Sequence, residues 1–354
     1  MKVLHIITTI ERGGAENQLV ILVREQIKLN HQVAIMYLKG NPDLAETFLR
    51  LGASVINASK ATNILNQVNF VRKIFLGDFD IVHSHLPRAE LMTSMLNFRI
   101  PFLVSRHNSE PFFPIAPSFV SSVLSRYVTF RSKAVVAITQ AVAHYLEKNH
   151  EIARKREIDV VYYGYPNQNQ PSPKSDFSGV IGTVSRLTPQ KDLVTLIKAF
   201  SLLRTDSHGL HLRIYGEGSE ELSLRKLVAD LNLVDFVDFY GKVEDVATAM
   251  QSMDIFVLSS LYEGFGLVLL EAMYNQVPIV SSNSVAAIEV LTPEYPLFFT
   301  IGDPYELSQK IRIVFREGPV RFREFGNERL KRFDPAKMCI GIDSIYDRIC
   351  SESK

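Results

Sequence analysis

Two glutamates, Glu263 and Glu271, stand eight residues apart in the stretch SSLYEGFGLVLLEAMYN. If both lie along one helix, that spacing separates them by about 12 Å, which is too far for both carboxylates to hold the same atom. Carboxylates repel phosphate but accept hydrogen bonds from hydroxyl groups. We therefore expect one acid to bind sugar hydroxyls and the other to bind ribose hydroxyls, at the two ends of a nucleotide diphosphate sugar.

An anion site is predicted between these acids. The segment Asp254–Leu258 has the composition of a buried strand, and a loop leads from it into an apolar helix that is predicted to begin at Phe265. Backbone N–H groups are unpaired at the start of a helix, where the helix dipole also favours negative charge. The groups expected to contact phosphate are those of Phe265, Gly266 and Leu267.

Two basic residues complete the predicted diphosphate site. Arg186 and Lys191 lie in GTVSRLTPQKD, which joins a predicted strand to a predicted helix. Arginine offers phosphate a planar fork, and lysine offers a mobile point charge. Because the sequence has no dense cluster of aspartates, we expect no metal and no other cofactor, and these cations would stabilise the leaving group instead.

The first half of the chain alternates short apolar runs with helical patterns, which indicates parallel β-α-β units. The predicted strands are Lys2–Ile10, Gln32–Leu38, Ala53–Asn57, Asp80–His83, Phe102–Ser105 and Ala134–Ile138. The predicted helices include Ala15–Leu29, Asn63–Leu76 and Ser118–Phe130.

The same alternation restarts after a polar, proline-containing linker at Tyr162–Gly179. Further strands are predicted at Val180–Val184, His211–Tyr215, Phe236–Tyr240, Ile255–Leu258 and Val277–Ser281, with a helix at Asp192–Leu203. At 354 residues the chain suits two domains. We predict an α/β protein of two doubly wound, Rossmann-like domains that face each other across a ligand-binding cleft.

Several segments together resemble the retaining group 1 glycosyltransferases, family 4, which have the GT-B fold. They are TVSRL with Lys191 downstream, GEGSE at 216–220, GKVEDV at 241–246, and SSLYEGFGLVLLEAM, whose two glutamates match the E-x7-E motif of that family. Gly13-Gly14-Ala15-Glu16 is similar to the family's glycine loop after the first strand. The resemblance implies an acceptor-side domain of residues 1–165, joined by a C-terminal helix at about 335–354, and a donor-binding domain of residues 166–334.

The resemblance implies a role for each matching residue of the second domain. Glu263 is expected to face the donor sugar as a catalytic residue, and Glu271 is expected to face the ribose. Arg186 and Lys191 would hold the diphosphate, and Val243 would lie near the nucleotide base.

Two positions of the first domain also match. Gly14 would let its loop approach the donor phosphate, and His107 in PFLVSRHNSE would be a catalytic residue that orients the transferred sugar. In this family the leaving phosphate is the usual base toward the acceptor, which implies retention of the anomeric configuration without a metal. His83 and His85 could line the acceptor cleft, or they could be capping or loop residues.

The implied activity is a hexosyltransferase-type transfer from a nucleotide diphosphate sugar to a glycan or lipid-linked glycan, in cell-surface polysaccharide biosynthesis. Two alternatives stay open: a sugar-nucleotide epimerase on the same fold, and a non-catalytic partner of another transferase. The sequence does not identify the sugar, the base, the acceptor or the linkage.

Composition narrows the expected location and partners. A formal net charge of +1 does not favour nucleic acid as a partner. Cys339 and Cys350 stand about 16 Å apart on one predicted helix and cannot pair, which indicates a reducing compartment. The N-terminus is not a convincing signal peptide and no run of 18 apolar residues occurs, so a cytoplasmic protein is expected.

One region favours peripheral contact with the inner face of a membrane. Twelve Lys or Arg stand against six Asp or Glu between residues 72 and 156. Within this region, PFFPIAPSFVSSVLSRYVTFRSK mixes apolar and basic residues, which suits an enzyme that takes a lipid-linked acceptor from an anionic bilayer. The alternative is that Phe112, Phe113 and Ile115 are core residues.

Overall fold

The computed structural model describes residues 1–60, 64–74, 79–96, 100–154, 156–174, 177–205, 209–243 and 245–352. The chain divides into two compact units. The N-terminal unit comprises Met1–Gly164 and Phe333–Lys354, and the C-terminal unit comprises Tyr165–Arg332.

Within the described residues, the N-terminal unit contains a parallel sheet of seven strands in the order β3-β2-β1-β4-β5-β6-β7. The strands are β1 (Lys2–Ile7), β2 (Gln32–Tyr37), β3 (Ser54–Asn57), β4 (Ile81–His85), β5 (Phe102–Arg106), β6 (Ala134–Ala137) and β7 (Ile158–Val160). The helices are α1 (Gly14–Lys28), α2 (Ala45–Leu51), α3 (Ile64–Ile74), α4 (Pro87–Ser94), α5 (Ser118–Arg131), α6 (Gln140–Lys148) and, from the end of the chain, α14 (Pro335–Ser351).

The C-terminal unit repeats this plan. Its described residues form a parallel sheet of six strands in the order β10-β9-β8-β11-β12-β13. The strands are β8 (Val180–Val184), β9 (His211–Tyr215), β10 (Val237–Gly241), β11 (Ile255–Leu258), β12 (Ile279–Ser282) and β13 (Phe298–Phe299). The helices are α7 (Leu193–Arg204), α8 (Glu221–Asp230), α9 (Val246–Gln251), α10 (Leu267–Tyr274), α11 (Val285–Leu291), α12 (Pro304–Glu317) and α13 (Val320–Leu330).

The predicted α/β class with two Rossmann-like domains is confirmed. The central strands are buried on both faces and mostly apolar, as in other parallel sheets, although β1, β4 and β5 also carry buried polar residues. In each sheet the strand order reverses at one point, between β1 and β4 and again between β8 and β11. Open α/β sheets bind ligands outside the carboxyl ends of the strands at such points. A ligand-binding site is therefore expected in the loops that follow these four strands.

Boundaries differ from the predictions at several elements. Strand β1 ends at Ile7 instead of Ile10, and the helix predicted from Phe265 begins at Leu267. Helix α3 is described over Ile64–Ile74, so the predicted ends of this helix at Asn63 and Leu76 lie outside the described residues. Among the described residues, no helix combines the length and the apolar character needed to cross a bilayer.

Candidate active site

Two loops of the C-terminal unit bring Lys191 and Glu263 into contact. Lys191 follows β8, Glu263 follows β11, and these two strands are neighbours in the sheet. Lys191 Nζ lies 2.6 Å from Glu263 Oε1, and Ser260 donates a second hydrogen bond of 2.6 Å to the same oxygen. The Glu263 carboxylate makes no other hydrogen bond to a described residue, so Oε2 is available to a ligand hydroxyl.

Further hydrogen bonds hold these loops together. Ser259 Oγ donates to the backbone oxygen of Lys191 at 2.7 Å, and Leu261 N donates to the backbone oxygen of Gln190 at 2.9 Å. Asp192 has a left-handed φ of 44° and caps α7 by accepting from Thr195. Asp tolerates this conformation better than most residues. The turn at Lys191 is therefore fixed from both sides.

Arg186 lies on the same sheet edge and is exposed. Its guanidinium has no hydrogen bond or ion pair with a described residue, so it is available to an anion. The loop that carries it packs against GEGSE. A Cβ on Gly216 would stand 1.8 Å from the Ser185 backbone oxygen, and one on Gly218 would stand 2.2 Å from that of Leu187. The two glycines of this motif are thus explained by close approach of two backbones.

The predicted anion site at the start of α10 needs a correction. Gly266 has a φ of 82° and is the residue before the helix, so the first helical N–H groups are those of Leu267 and Val268. Phe265 precedes the helix and is buried. Its N–H is therefore not a helix-end group. Glu263 lies in the loop before the helix, as the predicted start of the helix after Gly264 implied. The eight-residue separation of the two glutamates does not correspond to 12 Å of helix.

Glu271 lies on α10 with its carboxylate free of hydrogen bonds to described residues. Burial raises the pKa of Glu271 to about 7. Tyr165 and Tyr274 lie close by, with ring centroids 5.5 Å apart. A half-buried carboxylate without a partner is well suited to accept hydrogen bonds from a ligand.

Val243 follows β10 and is half-buried. Its neighbour Lys242 is exposed and donates its backbone N–H to Glu217 Oε1 at 3.3 Å. The Gly216 N–H donates to the Gly241 backbone oxygen at 2.7 Å. These contacts place Val243 beside the GEGSE loop.

In the N-terminal unit, a series of hydrogen bonds connects Gln26 to His107. Gln26 Oε1 accepts from His5 Nε2 at 2.9 Å. His5 Nδ1 therefore carries no proton and accepts from His85 Nε2 at 3.0 Å. His85 Nδ1 in turn accepts from His107 Nε2 at 3.3 Å, and His107 Nδ1 accepts from the Tyr163 hydroxyl at 2.5 Å. We call these five residues the histidine chain.

The histidine chain explains the polar residues on central strands. Burial lowers the pKa of His5 to about 4 and that of His107 to about 3, so each imidazole is neutral and has one donor and one acceptor nitrogen. Burial also lowers the pKa of His83 and His85 well below the usual value. His83 and His85 are strand residues in the core, so they are neither caps nor loop residues.

The structure places His107 just after β5, at the predicted position, but both of its ring nitrogens bond inside the N-terminal unit. A sugar could bond to the ring only if one of these hydrogen bonds opened. Gly14 is exposed and is the first residue of α1. The Glu16 carboxylate folds back to 2.4 Å from where a Cβ of Gly13 would stand, so an acid lies beside this glycine loop.

Three of the buried histidines could hold a metal by distance alone. The ring nitrogens of His5, His83 and His85 lie within 4.8 Å of one another. His83, however, bonds to Tyr346 and Ser105, and the other two bond to each other. A divalent ion would break these hydrogen bonds and bring two positive charges into the core beside neutral ligands.

Sequence reasoning missed the partners that orient these groups. Ser260 and Gln26 are single polar residues without a recognisable motif, and their contacts join distant parts of the chain. The one available signal was polar residues inside apolar strands, as in KVLHII and IVHSH.

Comparison with known proteins assigns the family. The model of Glycosyltransferase Family 4 matches residues 12–168, and the model of Glycosyl transferases group 1 matches residues 165–329. The chain is 25% identical over 311 residues to the putative glycosyltransferase EpsF of Bacillus subtilis, covering 80% of this chain and 79% of that protein. It is 22% identical over 372 residues to the O-antigen biosynthesis glycosyltransferase WclY of Escherichia coli, covering 99% of both.

Solved structures share the fold over nearly the whole chain. Anabaena HepE in complex with UDP-glucose superposes with a TM-score of 0.81 at 19% identity, covering 98% of this chain and 100% of that one. Sucrose-phosphate synthase from Thermosynechococcus elongatus also gives 0.81, at 16% identity, with 99% and 100% covered. The chain therefore belongs to the group 1 glycosyltransferases of the family 4 type, with the GT-B fold, and is a transferase.

Proposed function

We propose that the protein moves a sugar from a nucleotide diphosphate sugar to a hydroxyl of a glycan or lipid-linked glycan, with retention of the anomeric configuration, in the synthesis of a cell-surface polysaccharide. The observation that carries the proposal is the meeting of Lys191 and Glu263 at the carboxyl edge of β8 and β11, with Arg186 unpaired on the same edge. The UDP-glucose bound by HepE and the O-antigen role in the name of WclY support the donor class and the setting.

Each charged group has a part in holding the donor. Arg186 and Lys191 neutralise the diphosphate and stabilise the charge that develops as it leaves, without a metal. Glu263 accepts a hydrogen bond from a hydroxyl of the transferred sugar through Oε2, and Glu271 accepts hydrogen bonds from the ribose hydroxyls. The first N–H groups of α10 offer further donors to phosphate, and Val243 lies against the base.

The reaction exchanges one bond at the anomeric carbon. The acceptor oxygen forms a bond to that carbon on the face from which the diphosphate leaves. The bond between the carbon and the phosphate oxygen breaks, and its electrons leave with the nucleoside diphosphate. The acceptor proton passes to the departing phosphate oxygen. The products are the extended glycan and the nucleoside diphosphate, and the configuration is retained because entry and departure share a face.

A panel of UDP- and GDP-sugars tests this proposal without knowledge of the acceptor. At least one donor should bind to the purified protein and be slowly hydrolysed by water. The released sugar, observed by proton NMR before mutarotation, should have the same anomeric configuration as the sugar in the donor. Arg186→Ala should weaken binding of that donor by roughly 1.5–3 kcal/mol. If no sugar nucleotide is bound or hydrolysed, the proposal fails. Isomerised donor without hydrolysis would indicate an epimerase.

We also propose that helix α5 contacts an anionic membrane at the cytoplasmic face, where a lipid-linked acceptor would be found. The outward face of this helix is apolar: Phe119 is 77% exposed and Phe130 is 70% exposed. Val123 and Tyr127 lie between them on the same face and are also exposed. The inward face instead carries Ser121, Ser125 and Thr129.

The charges beside this apolar face support an anionic lipid surface as the partner. Arg126 and Arg131 are exposed on α5, and Lys133 is exposed just after it. Ile115, before the helix, is fully exposed, whereas Phe112 is buried. Helices with an apolar face flanked by basic residues lie in the interface of anionic bilayers. The alternative that these residues belong to the core is therefore correct for Phe112 and for Phe113, which packs against the core, and wrong for Ile115.

A further inference from the structure

A cavity of about 200 Å³ lies within the N-terminal unit, at the carboxyl ends of β4 and β5. It is smaller than the roughly 300–1,000 Å³ of pockets that enclose drug-sized ligands, and it is large enough for several waters or one sugar ring. Its lining includes Glu90, Arg106, His107, Asn108, Glu110 and Phe112.

Arg106 is the main polar feature of this cavity, and it is 5% exposed. Its Nε lies 2.8 Å from Glu90 Oε2, its Nη1 lies 3.8 Å from Glu151 Oε2, and its Cζ stands 4.3 Å over the Phe112 ring. The Nη2 group has no hydrogen-bond partner among the described residues. A buried guanidinium N–H without a partner costs free energy unless a ligand or water accepts from it.

The loop after β5 adds more polar groups without partners. Ser109 Oγ is buried and makes no hydrogen bond to a described residue. Asn108, which is exposed, and Glu110, which is half-buried, line the cavity, and their side chains make no hydrogen bond to a described residue. Buried polar groups are usually satisfied within the protein, so the buried Arg106 Nη2 group, which has no partner in the wall of this cavity, indicates a polar occupant.

The charges of the cavity select the kind of occupant. Arg106 contributes one positive charge, whereas Glu90, Glu110 and Glu151 are three acids around or beside it. An anionic ligand such as a phosphate would meet these carboxylates, so the cavity disfavours it. A neutral polyol can donate to the acids and accept from Arg106 Nη2, while Phe112 and Leu146 provide apolar surface.

We propose that this cavity is a subsite for one neutral sugar ring of the acceptor, with Arg106, Asn108 and Glu110 binding its hydroxyl groups. The inference rests on the proposed function, since it specifies the acceptor as a glycan with an uncharged ring at this position. His107 lines the same cavity and is also a member of the histidine chain. A bound sugar ring would therefore lie next to the residue that is expected to orient the transferred sugar.

Saturation-transfer NMR on the full-length protein tests the subsite without a donor. The probes are the methyl α-glycosides of glucose, galactose, mannose and N-acetylglucosamine, with inorganic phosphate as the anionic comparison. At least one glycoside should bind. An Asn108→Ala, Glu110→Ala double variant should bind it roughly tenfold more weakly, as expected from losing one or two hydrogen bonds. Both residues lie on a loop outside the buried Arg106 cluster, so this variant should fold.

Glu147→Ala is the matched control, because Glu147 is exposed on α6 of the same unit. It should leave glycoside binding unchanged. A crystal soaked with the glycoside should show a ring within hydrogen-bond distance of Arg106 Nη2. The proposal is overturned if no glycoside binds, if the double variant binds as well as wild type, if phosphate binds instead, or if the soaked cavity holds only water.

Donor hydrolysis, measured in parallel, separates this inference from the proposed function. If donor is bound and hydrolysed while no glycoside binds, the subsite is wrong and the transferase activity stands. If glycosides bind while no sugar nucleotide is bound or hydrolysed, the cavity is a sugar site and the proposed donor chemistry is wrong.

Discussion

Lys191 Nζ and Glu263 Oε1 lie 2.6 Å apart although 72 positions separate the two residues in the sequence. Their side chains are only 13% and 8% exposed. Each charge is thus balanced by the other before any donor arrives. If the donor diphosphate binds Lys191 as proposed, it must share this lysine with Glu263, so we expect donor binding to alter the hydrogen bonds of the Glu263 carboxylate.

Breaking this ion pair from one side should cost stability. Lys191→Met leaves a buried carboxylate without its partner, and we expect a loss of about 3 kcal/mol in the free energy of unfolding. Lys191→Met combined with Glu263→Gln should recover most of that loss. Urea unfolding of the wild type, the single variant and the double variant measures this coupling.

The control is Glu317→Gln, which removes the exposed ion pair with Arg321 and should change the free energy of unfolding by less than about 1 kcal/mol. Equal losses in the single and the double variant would contradict the prediction.

Donor affinity should depend on pH through Glu271. The pKa of this carboxyl is about 7 because of burial, so it is protonated below pH 7 and ionised above it. An ionised carboxylate accepts stronger hydrogen bonds than a neutral one. Affinity for an intact sugar nucleotide should therefore rise several-fold from pH 6 to pH 8, as measured by calorimetry. Glu271→Gln should flatten this rise, and an unchanged pH dependence in the variant would show that another group titrates.

Much of the fold could be predicted because parallel strands leave a plain sequence pattern. IFVL is apolar along its whole length and VIGTV is apolar except for Thr183, and helical patterns follow both runs, so the sequence predicts strands at the positions where the structure has β8 and β11. Once β8 and β11 are strands of one parallel sheet, their following loops must share an edge. That topological rule is why Lys191 and Glu263 could be expected near one another.

Local geometry could not be predicted in the same way. Helix α10 begins at Leu267 because Gly266 adopts a left-handed φ. Glycine can adopt either sign of φ, so the sequence alone does not show which conformation this residue has. The hydrogen bonds of His5 with Gln26 and His85 span 21 and 80 positions, so no spacing rule reports them. Whether a polar residue in a strand is buried with a partner is decided by tertiary packing.

The histidine chain should make the protein sensitive to acid. The pKa of His5 falls from 6.5 to about 4 on folding, so the unfolded state binds a proton first and stability is lost as pH drops from 6.5 toward 4. For His5 alone this amounts to roughly 3 kcal/mol. Burial raises the pKa of Glu90 to about 7, which acts in the opposite direction below pH 7.

The measurement is therefore a difference between proteins. Urea unfolding of wild type and His5→Gln at pH 7, 6 and 5 should show a shallower loss of stability in the variant. His144 is exposed, and His144→Gln should follow wild type. Parallel curves for wild type and His5→Gln would show that His5 does not titrate between the folded and unfolded states in this range.

Gly216→Ala should disturb the loop that carries Arg186. Its Cβ would stand 1.8 Å from the Ser185 backbone oxygen, so one of the two loops must move. Gly209 is the matched control, because its φ of 93° is also left-handed but no atom lies within 4 Å of its Cβ position. Gly209→Ala should lose only about 1–2 kcal/mol of stability from the backbone conformation. Gly216→Ala should lose more stability and also donor affinity, and equal effects would contradict the packing argument.

The outward face of α5 gives a test of membrane contact that does not depend on activity. Burying one phenylalanine in a bilayer interface contributes up to about 1.5–3 kcal/mol, so Phe119→Ser with Phe130→Ser should reduce binding to phosphatidylglycerol-containing vesicles by at least tenfold. Folding should be little affected, because the helix packs through Ser121, Ser125, Val128 and Thr129 instead. Sedimentation with vesicles measures the bound fraction, and urea unfolding checks stability.

The same experiment can separate the contribution of charge to vesicle binding from the contribution of buried apolar surface. Leu222 is 84% exposed in the C-terminal unit, and Leu222→Ser should leave vesicle binding unchanged. Arg126→Gln should weaken binding to anionic vesicles by an amount on the order of 1 kcal/mol, and added salt should remove that difference. Vesicles of phosphatidylcholine alone should bind the wild type weakly. If they bind it as well as anionic vesicles do, or if the phenylalanine variant binds like wild type, then α5 does not contact an anionic membrane and its apolar face has another partner.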